Sequence, residues 1–516
     1  MSQVAQPVAG RREWLGLAVL GLPTLLLALD LSVLNNAVPR LSTVLGADSV
    51  QQLWIMDVYG FMVAGFLVTM GNLGDRIGRR RLLLIGAVAF TASSVLSAFS
   101  VNTDMLILGR ALMGITGATL APSTLALISN MFRDGRQRAF AISVWVSCFM
   151  TGAAAGPVLG GALLGWFWWG SVFLLAVPVM VVLVIAGPLL LPEYRDDNPG
   201  RLDLVSVLLS LASILPVVYG VKELARAGWQ LWPTVALLAG VVAGVVFVRR
   251  QRRLATPLVD VRLFGNGTFS CALAALLLAP ATQGGVMLLV SLYFQLVAGL
   301  SPLVAGLWMV PSSLAMAAGS MLAVPLTRRA HPAMVTAAGL CLAAVGYLLM
   351  ATVHDGTGLP VLVVGTVVAF FGIGPASALS SNLVVGSVPP QRAGAAASLS
   401  ETSNNLGIAL GVALIGSLGA TIYRHALTGF PSGVPVPAAQ TARESIAGAV
   451  SVAGQLPQPA RDDLLAPARA AFMTGLDVSA VVAAVLLVGL AVIAMTVLRR
   501  INVGQPAERQ AAEQAA

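Results

Sequence analysis

Fourteen apolar runs follow one another along this chain, near residues 14–38, 53–73, 82–100, 105–127, 138–161, 168–191, 203–222, 231–248, 268–296, 303–326, 333–353, 360–386, 394–422 and 477–498. A run of roughly 20 residues crosses the ~30 Å of hydrocarbon in a bilayer as a helix. Little else can, because no water is present there to satisfy backbone N–H and C=O groups. The expected class is therefore an all-α polytopic membrane protein with fourteen transmembrane helices. Composition agrees, with 57% apolar residues, 10% charged and a mean hydropathy of +0.88, where about a quarter of a soluble domain is charged. The first run lacks a small-residue cleavage site and thirteen more follow, so no cleavable signal peptide is expected.

A net charge of +9 could suggest a nucleic-acid partner, but the basic residues lie in short clusters between the runs. They mark topology instead. Twenty-two of the 30 fall in the tails and in the loops after even-numbered spans, seven in the opposite loops, and Arg110 inside a span. Both termini are thus expected in the cytoplasm, with the cluster from Arg249 to Arg253 as an anchor on the anionic leaflet. Cys148, Cys271 and Cys341 lie inside apolar runs, so neither a disulfide framework nor a metal site is implied.

The expected organisation is a cytoplasmic tail (1–13), a six-helix bundle (14–191), two inserted helices with linkers (192–253), a second six-helix bundle (254–498) and a tail (499–516). An echo supports the two bundles. Gly114-Ile-Thr-Gly-Ala-Thr in span 4 returns as Gly372-Ile-Gly-Pro-Ala-Ser in span 12, and Gln137-Arg138-Ala139 as Gln391-Arg392-Ala393. Such direction-preserving repeats mark parallel halves. The segment 424–476 is rich in Pro, Gly, Ala and Gln and reads as an extracytoplasmic loop with helix-like stretches at Thr441–Ala453 and Ala460–Met473. It either caps the outer mouth or is a tolerated loop.

Four charges stand where hydrocarbon makes them expensive: Asp30 in span 1, Asp57 in span 2, Arg110 in span 4 and Glu401 in span 13. A low dielectric favours the neutral carboxyl, so each acid could gain and lose a proton unless a cation holds it ionised. Arg110 is the internal cation, and Gly114, Gly117, Ala118 and Ala121 on its face should let a neighbouring helix bring a carboxylate close. Asp57 lies near the outer end of its span and could instead reach headgroups. No histidine falls in a span, so a histidine relay is excluded.

Between spans 2 and 3, Gly71-Asn-Leu-Gly-Asp-Arg-Ile-Gly-Arg-Arg-Arg81 packs charge and glycine into what reads as a tight turn. Asp75 beside Arg79 could make and break an ion pair there. In span 5, Gly152, Gly156 and Gly160 form a smooth groove, with Pro157 permitting a bend. The turn resembles the loop between the second and third helices of the major facilitator superfamily of transporters. Taken with Asp30, Asn35 and Pro39, with Trp54, Asp57 and Tyr59, with Gly109-Arg110, with the span 5 groove and with Ser400-Glu401-Thr402, the chain resembles the fourteen-span drug:proton antiporters. The likeness is to their QacA-like and LfrA-like multidrug exporters.

That resemblance implies the major facilitator fold, two six-helix bundles plus two inserted helices, in a bacterial inner membrane. It implies a monomer without cofactor or metal that exports lipophilic, mainly cationic drugs, dyes and antiseptics by alternating access, driven by the proton gradient. Asp30, Arg110 and Glu401 would couple protons; Asp30, Asp57 and Glu401 would attract the cation. Candidate walls are Tyr59, Phe61, Trp145, Met150, Tyr293, Phe294 and Trp308, because aromatic faces attract quaternary ammonium and methionines adapt to varied shapes. Gly71, Gly74, Asp75, Arg76, Gly78 and Arg79, with Gly152, Gly156, Pro157 and Gly160, would serve gating and conformational change. Span 10 lacks the acid found in some relatives, so no substrate role carries over there. A dedicated exporter of one metabolite or antibiotic would share this fold and coupling, and sodium could replace the proton. No phosphate-binding glycine loop and no nucleophile-base pair points to an ATP-driven pump or an enzyme.

Overall fold

The computed structural model describes residues 9–46, 49–195, 203–227, 229–254, 257, 259–352, 358–388, 393–427 and 436–499. The side chains of Asn35, Asn36, Asp57 and Pro157 lie outside what is described, so the readings made for Asp57 and Pro157 gain no side-chain geometry here. Among the described residues there is no strand, and fourteen helices are long and apolar enough to cross a bilayer.

Spans 1 to 3 are Arg11–Leu45, Ser49–Ile77 and Arg79–Ala98; span 4 is Thr103–Gly117 continued by Leu120–Met131; span 5 is Gly135–Trp166. Span 6 is Ser171–Leu174 with Ala176–Leu190, and spans 7 and 8 are Leu204–Ala227 and Leu231–Gln251. Span 9 is Gly267–Leu292 ending in a π-turn over Tyr293–Val297. Spans 10 to 13 are Pro302–Thr327, Pro332–Met350, Gly358–Gly386 and Ala393–Ala426, and span 14 is Gln458–Leu498. Local chemistry sets several starts. Asn102 and Asp134 accept backbone N–H bonds of the first turns of spans 4 and 5, and Ser301 with Pro302 opens span 10.

The first six spans and the last six pack alike. Span 1 lies on span 5, span 4 on spans 2 and 3, and span 6 on spans 1 and 3; correspondingly span 9 lies on span 13, span 12 on spans 10 and 11, and span 14 on spans 9 and 11. Each half has its own core. One contains Leu20, Leu83, Phe90, Met113, Phe132 and Phe173, the other Val286, Tyr347, Phe370, Leu464 and Leu487. The halves meet where span 2 touches span 13 and span 5 touches span 10. Ser147 donates to the Ala317 carbonyl at 3.2 Å, and at the arginine-rich end Arg138 Nε donates to Asn382 Oδ1 at 3.0 Å.

Spans 7 and 8 pack on each other, and span 7 leans on spans 2 and 13. Asp203 fastens the pair, accepting from Arg250 Nε at 2.8 Å and Nη2 at 3.1 Å, while Gln251 donates to Ser206 Oγ at 2.7 Å. Span 8 buries little of itself, as expected of a helix with lipid on most sides.

Two expectations change. The turn expected over Gly71 to Arg81 is shorter than that: span 2 stays helical through Ile77 and span 3 starts at Arg79. Only Gly78 turns the chain, at φ +108°, a conformation that costs a residue with a Cβ. The segment 424–476 is likewise not all loop. Val436–Glu444 and Ile446–Ala453 are short helices, but the stretch expected at Ala460–Met473 is the first part of span 14, a continuous helix of 41 residues. Tyr423 Oη donates to the Ala442 carbonyl at 2.6 Å, and Ile446, Ala449 and Ala453 join the core of the second half.

Candidate functional site

Arg110 has no solvent exposure and Asp30 is 9% exposed. Arg110 Nη1 donates to Asp30 Oδ2 at 2.6 Å and Nε to the Ile55 carbonyl at 3.3 Å. The guanidinium carbon lies 4.5 Å from the Tyr59 ring centroid and 6.0 Å from that of Phe173. Nη2 has no hydrogen-bond partner among the described residues. A guanidinium stays charged even here, so the carboxylate and the ring faces take over what water would supply. Gly114 and Gly117 make the fit possible. A Cβ on Gly114 would stand 2.7 Å from Met62 Cβ and 3.1 Å from Tyr59 Cα, and one on Gly117 3.1 Å from Tyr59 Oη. The small face of span 4 thus seats span 2 and its Tyr59, while the carboxylate comes from span 1.

The span 5 glycines seat that same span 1. A Cβ on Gly152 would lie 2.9 Å from the Leu25 carbonyl carbon, one on Gly156 2.7 Å from Ser32 Cβ, and one on Gly160 3.0 Å from Val33 Cγ1. Close backbone packing of this kind is the main attraction available between helices in lipid. It fixes the height of Asp30 against the helix carrying Trp145 and Met150.

Two cavities open at the seam of the halves. The larger, about 260 Å³, is bounded by Trp145, Phe149 and Met150 of span 5, Met287 of span 9, Met316 of span 10, Phe370 of span 12 and Glu401 of span 13. Gln283, Ser313, Ser377, Ser381, Ser400 and Asn404 give it a neutral polar face. The smaller, about 70 Å³, lies toward the first half and is bounded by Leu27, Leu31, Tyr59, Gly60, Gly117 and Ala121. Trp145, Phe149, Glu401 and Asn404 belong to both. Trp145 is held by its Nε1, which donates to Thr124 Oγ1 at 3.0 Å. The Glu401 side chain is 9% exposed and has no ion-pair or hydrogen-bond partner among the described residues.

The Major Facilitator Superfamily model matches residues 20–412. The chain belongs to that superfamily. It is 42% identical over 489 residues to the multidrug efflux pump LfrA of Mycolicibacterium smegmatis, covering 95% of this chain and 97% of that protein. It is 33% identical over 471 residues to the methyl viologen resistance protein SmvA of Salmonella typhimurium, covering 90% of this chain and 93% of that one. The crystal structure of the human organic anion transporter MFSD10 superposes with a TM-score of 0.56 at 17% identity, covering 93% of this chain and all of that chain. That likeness carries the fold: the major facilitator fold of two six-helix bundles, here with two helices inserted.

In this facilitator, Tyr59, Trp145, Met150 and Glu401 line the cavities. Asp30 does not; it sits behind Tyr59 on Arg110. Phe61, with Ala64 of its own span, turns to Val218 of the inserted span 7. Tyr293 and Phe294 are buried in the core of the second half, beneath the short helix Ile446–Ala453, and Trp308 is 40% exposed on the outside of span 10. Phe149, Met287, Met316, Phe370 and Gln283 were not singled out from sequence. Only Ser400 and Asn404 carried a signal, as neighbours of Glu401 in the most polar stretch of any span.

The charged turn is built as an elbow. Arg79, without exposure, pairs with Asp75, its Nε donating to Oδ1 at 2.8 Å, and its backbone N donates to the Tyr194 carbonyl at 2.8 Å. A Cβ on Gly74 would meet Arg79 Nη1 at 2.6 Å. Gly71 is buried and Arg76 half-buried. Glu193 after span 6 completes the elbow, accepting from the Arg80 backbone N at 3.1 Å and lying 3.5 Å from Arg80 Nε. Sequence held one hint of it, an acid following span 6 on the same side of the bilayer as the arginines.

Proposed function

We propose that this facilitator exports lipophilic, mainly cationic drugs, dyes and antiseptics in exchange for protons, by alternating access of its two halves. It works as a monomer without a cofactor, in the bacterial inner membrane, with both termini cytoplasmic. The observation that carries the reading is Glu401, a buried carboxylate without a countercharge among the described residues, on the wall shared by two cavities whose other walls are aromatic, methionine and neutral polar. At ~4 Å and an effective dielectric of ~20, a carboxylate attracts a cation by about 4 kcal/mol before desolvation, more than any one methionine or ring contact supplies. A proton and a cationic drug therefore compete for one oxygen pair, and no covalent chemistry is needed. Asp30, steadied by Arg110, is the second proton carrier; Asp57 adds negative charge to the path; the elbow at Gly78 and the span 5 groove let the halves rock. The names of LfrA and SmvA, one for multidrug efflux and one for methyl viologen resistance, support the substrate class.

The test is dye efflux from reconstituted vesicles under an imposed pH gradient, with and without sodium. The gradient alone should drive accumulation of several structurally unrelated cationic dyes. Dependence on sodium would overturn proton coupling, and transport of a single chemical class would convert the reading to a dedicated exporter.

A further inference from the structure

Tyr59 touches both the buried ion pair and a cavity bounded by Glu401. Arg110 stacks at 4.5 Å from its ring centroid, and the ring lines the smaller cavity, whereas neither Asp30 nor Arg110 does. A cargo in that cavity therefore meets Tyr59 and Glu401 but cannot contact the pair directly. The ring is tightly placed, 3% exposed, with its Oη crossing Gly117 where a Cβ would stand 3.1 Å away. Arg110 behind it is poised for change, because Nη2 has no hydrogen-bond partner among the described residues and Nη1 depends on Asp30.

We propose that Tyr59 is the positioning residue through which cargo in the cavity and the Asp30–Arg110 pair sense one another; the inference rests on the exporter reading above. A ring that already holds one cation on its electron-rich cloud attracts a second less strongly. Cationic cargo against Tyr59 thus loosens Arg110 from the ring and shifts it toward the Asp30 carboxylate. Conversely, a proton on Asp30 removes the anion holding Nη1 and leaves Arg110 more dependent on Tyr59, which weakens the cavity for a cation. Proton and cargo exclude each other across a wall. Among the described side chains, the charged groups around the ring are Asp30, Arg110 and, across the cavity, Glu401. Coupling of this kind is reciprocal, and ordinary couplings between sites change affinity roughly 5- to 150-fold.

The experiment compares two activities of the full chain in vesicles with ethidium as probe: ethidium–ethidium exchange at equal pH, which needs no proton, and ethidium accumulation driven by a pH gradient. Tyr59→Leu, which also removes a cavity wall, should lower exchange and should lower gradient-driven accumulation about tenfold or more beyond that loss, the size of an ordinary site-to-site coupling. Tyr59→Phe, which keeps the ring, should keep the parent's ratio of accumulation to exchange. Gly117→Ala leaves every charge in place and crowds the Oη, and should show the same split as Tyr59→Leu; it decides the matter if Tyr59→Leu is not recovered folded. Accumulation by Tyr59→Leu or Gly117→Ala equal to the parent, or an equal loss of both activities, would overturn the coupling role. Exchange without gradient-driven accumulation in the parent itself would instead overturn the exporter reading.

Discussion

The two buried acids among the described residues live in opposite circumstances. Asp30, in the first half, is 2.6 Å from a guanidinium that is itself sealed between aromatic rings. Glu401, in the second half, has the same burial but no countercharge among the described residues, and it lines both cavities at the seam. A buried pair is costly to break from either side, because what remains is a charge without water. A lone buried carboxyl can change its proton or its partner without disturbing a neighbour. On the proposed reading the two halves do different work: the first would hold a switch, the second a berth.

The sharpest way to break this contrast is Arg110→Met, which strands Asp30. The expected cost is ~3–5 kcal/mol of stability, read as a fall in the thermal midpoint of the purified protein, together with loss of efflux; an unchanged midpoint would show that the pair is not what holds Arg110. Asp30→Asn is milder, since the amide oxygen still accepts from Arg110 Nη1. It should leave the protein folded and inserted while abolishing uphill efflux, and normal gradient-driven efflux by that variant would remove Asp30 from the mechanism. Glu401→Gln should lower efflux of a cationic dye about tenfold, ~1.4 kcal/mol, and spare a neutral substrate of similar shape. An equal loss for both would make Glu401 structural.

The smallest effect belongs to a pair outside this contrast. Hydrogen bonds from Arg250, then from Ser206, hold the Asp203 carboxyl well below the usual carboxylate range. A lowered folded value means that the stabilisation is present above the unfolded carboxylate range near ~4 and is lost as pH falls below it. Asp203→Asn should therefore lower the thermal midpoint slightly at neutral pH, not at all in strong acid, and leave efflux untouched; altered efflux would give spans 7 and 8 a part in transport.

Much of this was legible in the residues. Spans announce themselves by length and apolarity, and a charge inside one stands out against its surroundings, as Asp30, Arg110 and Glu401 do. The facing of a helix that is apolar all round carries no such signal. For that reason Phe61 and Trp308 could not be told from Phe149 and Phe370, and the methionines of spans 9 and 10 went unnoticed. Hydropathy also marked only the membrane-embedded part of span 14. The stretch before it, rich in Ala, Leu and Arg, favours helix without being apolar.

Those 41 residues rise about 60 Å, roughly twice the hydrocarbon thickness, so the last helix is far longer than a bilayer crossing requires. With Ile446–Ala453 packed into the same core, it forms a rigid mast rooted in one half alone. An antibody fragment clasped to that mast would report the tilt of its half during turnover, and would give electron microscopy a landmark on a molecule otherwise hidden in its detergent belt.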